Sequence, residues 1–380
     1  VFHSSDWTSN WNAGSSSGTT VITNSAISLA PDGTATANEI YPTSGNTFHV
    51  RASNSTTAVT YVSGTVYTQS AFFKAGVGVG TRIQLTYTSA RFSQNGYANF
   101  DLIAGTVLVV SGTTADTNRA ARIESYGNGW YRCSYSATCT SAGTGVGVIP
   151  GLISASGDTR NPSFSGTVTD YLLGWGAQLE TGSVATSYIP TTAAAVTRNA
   201  DVVLVTGAVS GSIGQTEGTM YAEVDVRLLS TNRSLLSLTL NSNTTDFINF
   251  QINTSNRLFA RMRNKSGSLV DVVASGVTTT AGIHKLACSY SSGDITFALD
   301  GVVIGTNTNA DTDFTAALNC VLLGSGPGAT TGGTQSAFLN DRIRAAALYP
   351  TRLTDTQLAL LTSPYTSYSS MASALSYTLG

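Results

Sequence analysis

Few side chains in this sequence of 380 residues could run acid–base or nucleophilic chemistry. There are three histidines (His3, His49, His284) and four cysteines (Cys133, Cys139, Cys288, Cys320). No His-x-x-x-His or Cys-x-x-Cys spacing joins them and no nucleophile elbow is present, which excludes the common zinc and acyl-transfer arrangements. His284 alternates with Leu286, Cys288 and Tyr290, so it is expected to point inward as a hydrogen-bonded core residue. Cleavage of a glycosidic bond needs two carboxylates roughly 5–9.5 Å apart across a cleft. Glu223 and Asp225 stand about 7 Å apart as residues i and i+2 of a strand, but Arg227 follows them on the same side, the pattern of a solvated outer face. The glycine-rich runs at 76–80 and 324–328 lack the Lys-Ser/Thr and the helix of a phosphate loop and read as turns. The sequence assigns no catalytic residue, no metal ligand and no cofactor.

Non-covalent contact is better supplied. Trp7 and Trp11 lie four residues apart amid Ser, Asn and Gly, and Phe92 and Tyr97 flank Ser93-Gln94-Asn95-Gly96. Flat rings stack against the C–H faces of sugars, and the Gln94 and Asn95 amides suit hydroxyl groups. The competing reading packs Trp7 and Trp11 onto the core. Strand alternation also puts Arg257, Phe259, Arg261 and Arg263 on one face, opposite Leu258, Ala260 and Met262, with Lys265 extending the row. Such a stripe suits an anionic glycan or an acidic neighbour, or is a solvated strand face.

The elements that must position these residues are strands. The chain is 41% hydrophobic and only 11% charged, below the roughly 25% charge of ordinary domains. Its polarity rests on Ser, Thr, Asn and 38 Gly, which suit pleated strands and tight turns. Met220, Ala222, Val224, Val226 and Leu228 share one face of a strand. Ile248, Phe250 and Ile252 share another, and 83–87 and 131–135 alternate likewise. Asp300-Gly301 between 295–299 and 302–304 predicts a two-residue hairpin, since both turn positions need positive φ. One helix is predicted over 354–361, where Thr354 and Gln357 form a capping box.

A chain of this length exceeds what one core usually serves, so two domains are expected. The boundary is placed at 198/199, with domains at 1–198 and 199–362 and a polar tail at 363–380. Cys133 and Cys139 would sit about 20 Å apart on one extended strand, and the reading is four thiols without disulfides, as in a reducing cytosol. The first 200 residues hold nine acidic and nine basic side chains and the remainder twelve and ten. That balance disfavours nucleic acid. No apolar run approaches the ~20 residues of a membrane span.

The string Leu172-Leu173-Gly174-Trp175-Gly176-Ala177-Gln178-Leu179-Glu180, continued by Thr186-Ser187-Tyr188-Ile189-Pro190-Thr191, resembles the closing strand and exit loop of jelly-roll modules of carbohydrate-binding type found in phage tail and head-fibre proteins. Ala30-Pro31-Asp32-Gly33, Gln69-Ser70-Ala71-Phe72-Phe73-Lys74 and Gly127-Asn128-Gly129-Trp130-Tyr131-Arg132 agree with it in order over about 25–198. In that family's strand motifs Trp130 and Trp175 are core. The second half resembles laminin-G and concanavalin-like sandwiches, through Ile283-His284-Lys285-Leu286-Ala287-Cys288, the Asp300-Gly301 hairpin, and Asp341-Arg342-Ile343-Arg344 leading into Leu353-Thr354-Asp355. It departs from their pattern at Ile283, where an aromatic residue is usual, and no calcium ligand carries over. Together the resemblances imply an all-β protein of two β-sandwich (jelly-roll and concanavalin-like) domains with one short C-terminal helix. They imply a non-enzymatic virion protein of tail-fibre, spike or head-fibre type, assembled in the bacterial cytoplasm. Its expected partners are host surface glycan, other virion proteins and copies of itself, a trimer by the habit of fibres. The alternatives are a capsid or tail decoration protein that binds no sugar, a polysaccharide depolymerase and a secreted bacterial adhesin.

Overall fold

The computed structural model describes residues 3–12, 18–53, 58–92, 96–112, 118–197, 203–207, 211–227, 232–240, 246–267, 269–273, 279–327, 337–339 and 341–364. The chain is all-β, built as antiparallel sandwiches with one short helix, and it divides into two compact units, Val1–Arg198 and Asn199–Gly380.

In the first unit, sheet I runs in the order Thr106–Ser111, Tyr97–Asp101, Arg82–Thr86, Ile149–Leu152, Asn46–Val50, Ser163–Ser165. Sheet II runs Ala120–Ser125, Trp130–Thr138, Val66–Val77, Tyr171–Thr181, Asn38–Pro42, Thr19–Ile22. The core includes Ile83, Leu85, Ala98 and Phe100 of sheet I and Ala71, Phe73, Cys133 and Tyr135 of sheet II. Period-two alternation puts these residues there, because successive side chains of a strand face opposite ways.

The Trp-Gly-Ala-Gln-Leu-Glu string is architecture. The register against Val66–Val77 slips between Trp175 and Gln178, where Gly176 takes φ +63°, a value that suits glycine. The bulge flips the alternation, so Ala177 joins the main core while Leu173 and Trp175 face outward. There Trp175, Trp130 and Phe72 build a second small core with Ala30 and Ala37, and Tyr188 packs against it. The indole N–H groups of Trp130 and Trp175 donate to Leu29 O and Thr36 Oγ1, each at 2.9 Å. Gln178 Oε1 accepts from Ile189 N at 2.8 Å, and Glu180 accepts from the hydroxyl and amide of Thr186. The exit loop so held pins the N-terminal segment: Thr191 N donates to Ser4 Oγ and Ser4 N to Thr191 O.

In the second unit, sheet III runs Val203–Thr206, Cys320–Leu323, Arg233–Thr239, Phe247–Ile252, Leu258–Arg263, Leu269–Val273. Sheet IV runs Val302–Asn307, Asp294–Leu299, Gly282–Ser291, Glu217–Val226, Arg342–Tyr349. Met220, Ala222, Val224 and Val226 enter the core opposite Ile248, Phe250 and Ile252, as their spacing predicts; Leu228 lies outside the described residues. The Asp300-Gly301 hairpin forms, with φ +49° and +87°. The helix is Asp355–Thr362, with both hydrogen bonds of the Thr354/Gln357 capping box. Leu358 seats it against Ala287 and Ala298 of sheet IV, so it flanks the sandwich.

Candidate functional site

The aromatic rings expected on loops are packed inside. Trp7 is fully buried and stacks on Trp11 at 4.6 Å, and their indole N–H groups donate to Ser4 O and His3 O. The packing alternative therefore holds for this pair, which offers no face to a sugar. Phe92 is buried as well, stacked on Tyr87 at 4.0 Å and edge-on to Tyr61 and Tyr67. Tyr97 begins a strand of sheet I and is buried on its outer side, the side away from Ala98 and Phe100. Gln94 and Asn95 lie outside the described residues. In each case ring area removed from water outweighed the polar flanks that suggested a loop.

The basic stripe forms with the expected alternation, but its charge is opposed. Arg261 Nε and Nη2 grip the two carboxylate oxygens of Asp271 at 2.6 and 2.7 Å, and the guanidinium lies 5.1 Å from the Phe259 ring centre. Lys265 Nζ meets Asp313 at 2.6 Å. That bond, followed by the fields of Asp313, Asp311 and Asp246, raises the Lys265 pKa. Arg257 precedes the strand Leu258–Arg263, and Arg263 closes it. Two of the four cations of the stripe, Arg261 and Lys265, are thus held in ion pairs.

Two outer sheet faces carry buried amides, and they differ in how these are satisfied. On sheet I, Gln84 and Asn99 are neighbours in register, and both are fully buried. Gln84 Nε2 donates to Asn99 Oδ1 at 2.8 Å and to Thr159 O at 3.0 Å, while Asn161 N donates to Gln84 Oε1 at 2.7 Å. Asn99 Nδ2 donates to Ser156 O and Asp158 O. The connection between Ile149–Leu152 and Ser163–Ser165 thus lies across the face and engages both ends of each of these two amides, while Thr86 Oγ1 and Asn161 Oδ1 nearby have no partner. Asp158 holds that connection in shape by accepting from Ser154 N, Ala155 N and the Ser154 hydroxyl.

On sheet III the register sets Ser237, Asn249, Arg261 and Asp271 in one row across adjacent strands. Asn249 is 0% exposed, and neither its Nδ2 nor its Oδ1 meets a hydrogen-bond partner. Ser237 Oγ donates to Ser325 O at 3.1 Å, while the buried Ser325 hydroxyl is also without a partner. Beside Asn249, Gln251 Nε2 reaches Ser234 Oγ at 3.4 Å, and Phe259 is opposite Gln251 in register. The row opens toward Arg261 and Asp271, whose side chains are 29% and 31% exposed. Ser325 belongs to the connection from Cys320–Leu323 to Arg342–Tyr349. That connection is tied back through Gly324 N to Leu235 O, Ser234 N to Ala337 O, and a fully buried ion pair between Arg233 and Asp341. Chemically the row offers an amide donor and acceptor, a hydroxyl, a guanidinium–carboxylate pair and an aromatic ring, the mixture that binds polyhydroxylated ligands.

Asn249 and Gln251 were legible as the polar side of the strand Phe247–Ile252, but alternation alone assigns such residues to solvent. The same default misled at Asp225, which is buried and paired with Arg227 at 3.0 Å, while Glu223 pairs with Arg344 at 3.2 Å. His284 is hydrogen-bonded, as expected, but sits half-buried at the open end of its strand. Its Nδ1 meets Asp300 Oδ2 at 2.6 Å and its Nε2 meets Thr280 O at 3.0 Å, and the Asp300 contact raises its pKa. His49 is buried between the carbonyl oxygens of Gly18 and Phe164. The four cysteines are buried thiols, and burial pushes the Cys133 and Cys288 thiols up, away from the thiolate. Among the described residues no group of three or more His, Cys, Asp and Glu is placed to hold a metal ion, and no helix is long and apolar enough to cross a membrane.

Residues 197–359 match the family model of the concanavalin A-like lectin/glucanases superfamily. No curated protein matches the chain. Among solved structures, the chain is similar to the SAP-like pentraxin of Limulus polyphemus, with 13% identity and a TM-score of 0.34, over 39% of this chain and 70% of that one. It is similar to the CBM40 module of the Ruminococcus gnavus IT-sialidase, with 20% identity and a TM-score of 0.34, over 41% and 87%. It is also similar to the NanB sialidase of Streptococcus pneumoniae, with 13% identity and a TM-score of 0.35, over 43% of this chain and 27% of that one. The second unit is thus a β-sandwich of concanavalin A-like fold.

Proposed function

We propose that this chain is a non-catalytic glycan-binding protein whose binding face is the outer row of sheet III, open at Arg261 and Asp271 and ending at the buried Asn249. One observation carries the reading: a fully buried amide in the middle of a sheet with neither its donor nor its acceptor engaged. Leaving such groups buried and unpaired costs about 1–3 kcal/mol each, and folding alone gives no reason for that cost. Sugar hydroxyls both donate and accept, so adjacent hydroxyls would engage both ends of the Asn249 amide. The lectin-type architecture of the second unit supports the same ligand class, while the residues of the row carry the argument. A glycan array probed with the purified chain tests this. Binding is expected for the native chain and is expected to be lost in Asn249→Leu, with the fold intact by circular dichroism. A blank array for the native chain would end the reading.

The setting we propose is the virion of a tailed phage, where the chain would join other virion proteins and face host surface glycan. The support is the specificity of the 172–191 string. Weak single-site sugar binding gains from multivalency, which favours a homo-oligomer, and a trimer is the expected state by light scattering. Immunogold imaging of purified particles tests the location, and release of reducing ends from capsule or lipopolysaccharide, which is not expected, would restore the enzymatic alternative. A purely structural role is favoured for the first unit by one observation: the amides on its sheet I face are already engaged by its own chain.

A further inference from the structure

We propose that the sheet III row selects uncharged over carboxylated glycans and that Asp271 sets this selectivity; the inference rests on the glycan-binding reading above. An arginine on a sugar-binding face ordinarily invites a carboxylate, because the guanidinium fork matches it in a two-point contact. Here that fork is already taken: Nε and Nη2 of Arg261 both bond Asp271, at 2.6 and 2.7 Å. An incoming carboxylate would have to displace Asp271 from its partner or lie beside it, where like charges repel. The Phe259 ring packs against the same guanidinium, which limits its freedom to turn to a second anion.

The surroundings add to the effect. Beyond Arg261, the row and its rim carry Arg263 and Lys265, against Asp246, Asp311 and Asp313. Lys265 is held by Asp313 at 2.6 Å, Asn264 Nδ2 donates to Asp311 at 3.0 Å, and Asp246 is buried with both carboxylate oxygens lacking hydrogen-bond partners. With Asp271 and Arg257 counted, four carboxylates stand against four cations, so the stripe has no net positive charge to draw an anion. A neutral sugar escapes this penalty. One hydroxyl can donate to Asp271 while its neighbour accepts from an Arg261 N–H that Asp271 leaves unused, and the chain of hydroxyls continues to Asn249.

The test is calorimetric titration of the full chain with lactose and 3′-sialyllactose, and with the binding member of a glycan array paired with its carboxylated counterpart. Native protein is expected to bind the neutral member at least tenfold more tightly. Asp271→Asn, which keeps the side chain's shape and releases Arg261, is expected to move that ratio at least fivefold toward the carboxylated member. Tighter binding of the carboxylated member by the native chain overturns the selectivity while leaving glycan binding in place. An unchanged ratio in a folded Asp271→Asn removes Asp271 from its assigned role. Absence of binding to every glycan removes the underlying reading and this inference with it. The native ratio is informative even if the variant fails to fold.

Discussion

The outer faces of sheets I and III are built from the same materials and finished differently. Each carries buried amide groups, an arginine–aspartate pair (Arg82–Asp101 at 3.7 Å, Arg261–Asp271 at 2.6 Å) and an aromatic ring, and each is contacted by a connection between strands. On sheet I the connection brings backbone carbonyls and an N–H to Gln84 and Asn99, so both amides are fully engaged, while Thr86 Oγ1 on the same face and Asn161 Oδ1 of the connection have no partner. On sheet III the crossing segment contacts Ser237 and leaves Asn249 and the Ser325 hydroxyl unengaged. What separates the faces is the central amide: Gln84 and Asn99 have both ends engaged, while Asn249 has neither, a loss of stability that asks for another use. The difference lies in what the connection offers, since the amides themselves are common to both.

The largest expected effect concerns how the sheet III connection is anchored. Asp341 accepts from Arg227 N and pairs with Arg233, with essentially no exposure of either partner of the ion pair. Removing one member of such a pair strands a buried charge, and Asp341→Ala is expected to destabilise the second unit by about 3–5 kcal/mol. Hydrogen exchange of the strands Arg233–Thr239 and Arg342–Tyr349 would show it; protection close to native would mean that the connection is held elsewhere. A smaller loss is expected on sheet I. Asn99→Leu removes one of the two bonds made by Gln84 Nε2 and both donations to the Ser156 and Asp158 carbonyls, about 2–3 kcal/mol at the usual cost of broken buried hydrogen bonds. All four tryptophans lie in the first unit, so their fluorescence reports this unfolding alone.

The matching substitution on sheet III should move the other way, and this is where the comparison is most exposed. Asn249→Leu replaces an unsatisfied amide by an apolar side chain of similar size. A gain of about 1 kcal/mol is expected, from the desolvation penalty no longer incurred. Calorimetry of the native and variant chains measures it. Opposite signs for Asn99→Leu and Asn249→Leu would establish that the two faces serve different ends. A loss of similar size in both would mean that Asn249 is satisfied within the fold, for example through a structural water, and the distinction between the faces would dissolve.

The sequence made the strands legible because alternation is a local property: 220–226 and 247–252 show their core faces without any knowledge of their neighbours. The hairpin at Asp300-Gly301 and the capped helix were legible for the same reason, each set by two or three adjacent residues. What covers the opposite face is not local. Asn99 and Asn249 both read as polar positions on amphipathic strands, and nothing adjacent to either tells which has a partner 57 to 59 residues away and which has none. For Trp7, Trp11 and Phe92 the polar flanks left solvent and core both open, and the burial was decided in part by rings distant in sequence, Phe73 for Trp7 and Tyr61 for Phe92. The neutralising partners of the basic stripe, Asp271 and Asp313, lie 10 and 48 residues from Arg261 and Lys265, beyond the reach of any spacing rule.

The smallest expected effect is one of pH, and it sharpens the contrast between closures made of amides and contacts made of ions. The Gln84–Asn99 closure holds no group that titrates near neutrality. In the second unit, both ring nitrogens of His284 face acceptors, Asp300 Oδ2 and Thr280 O, an arrangement that suits the imidazolium. The hydrogen bond to Asp300, aided by the Thr280 carbonyl and opposed by burial, raises its pKa above the ordinary 6.5. A raised folded-state value means that this contribution is full below pH 6.5 and fades as pH climbs through the raised value. Because Asp300 is 40% exposed, the effect is expected to stay below about 1 kcal/mol. Stability of the second unit, followed by hydrogen exchange with rates corrected for their intrinsic pH dependence, should therefore decline slightly from pH 6 to pH 8.5, and His284→Gln should flatten that decline. A decline of equal size in the variant would assign it to another group.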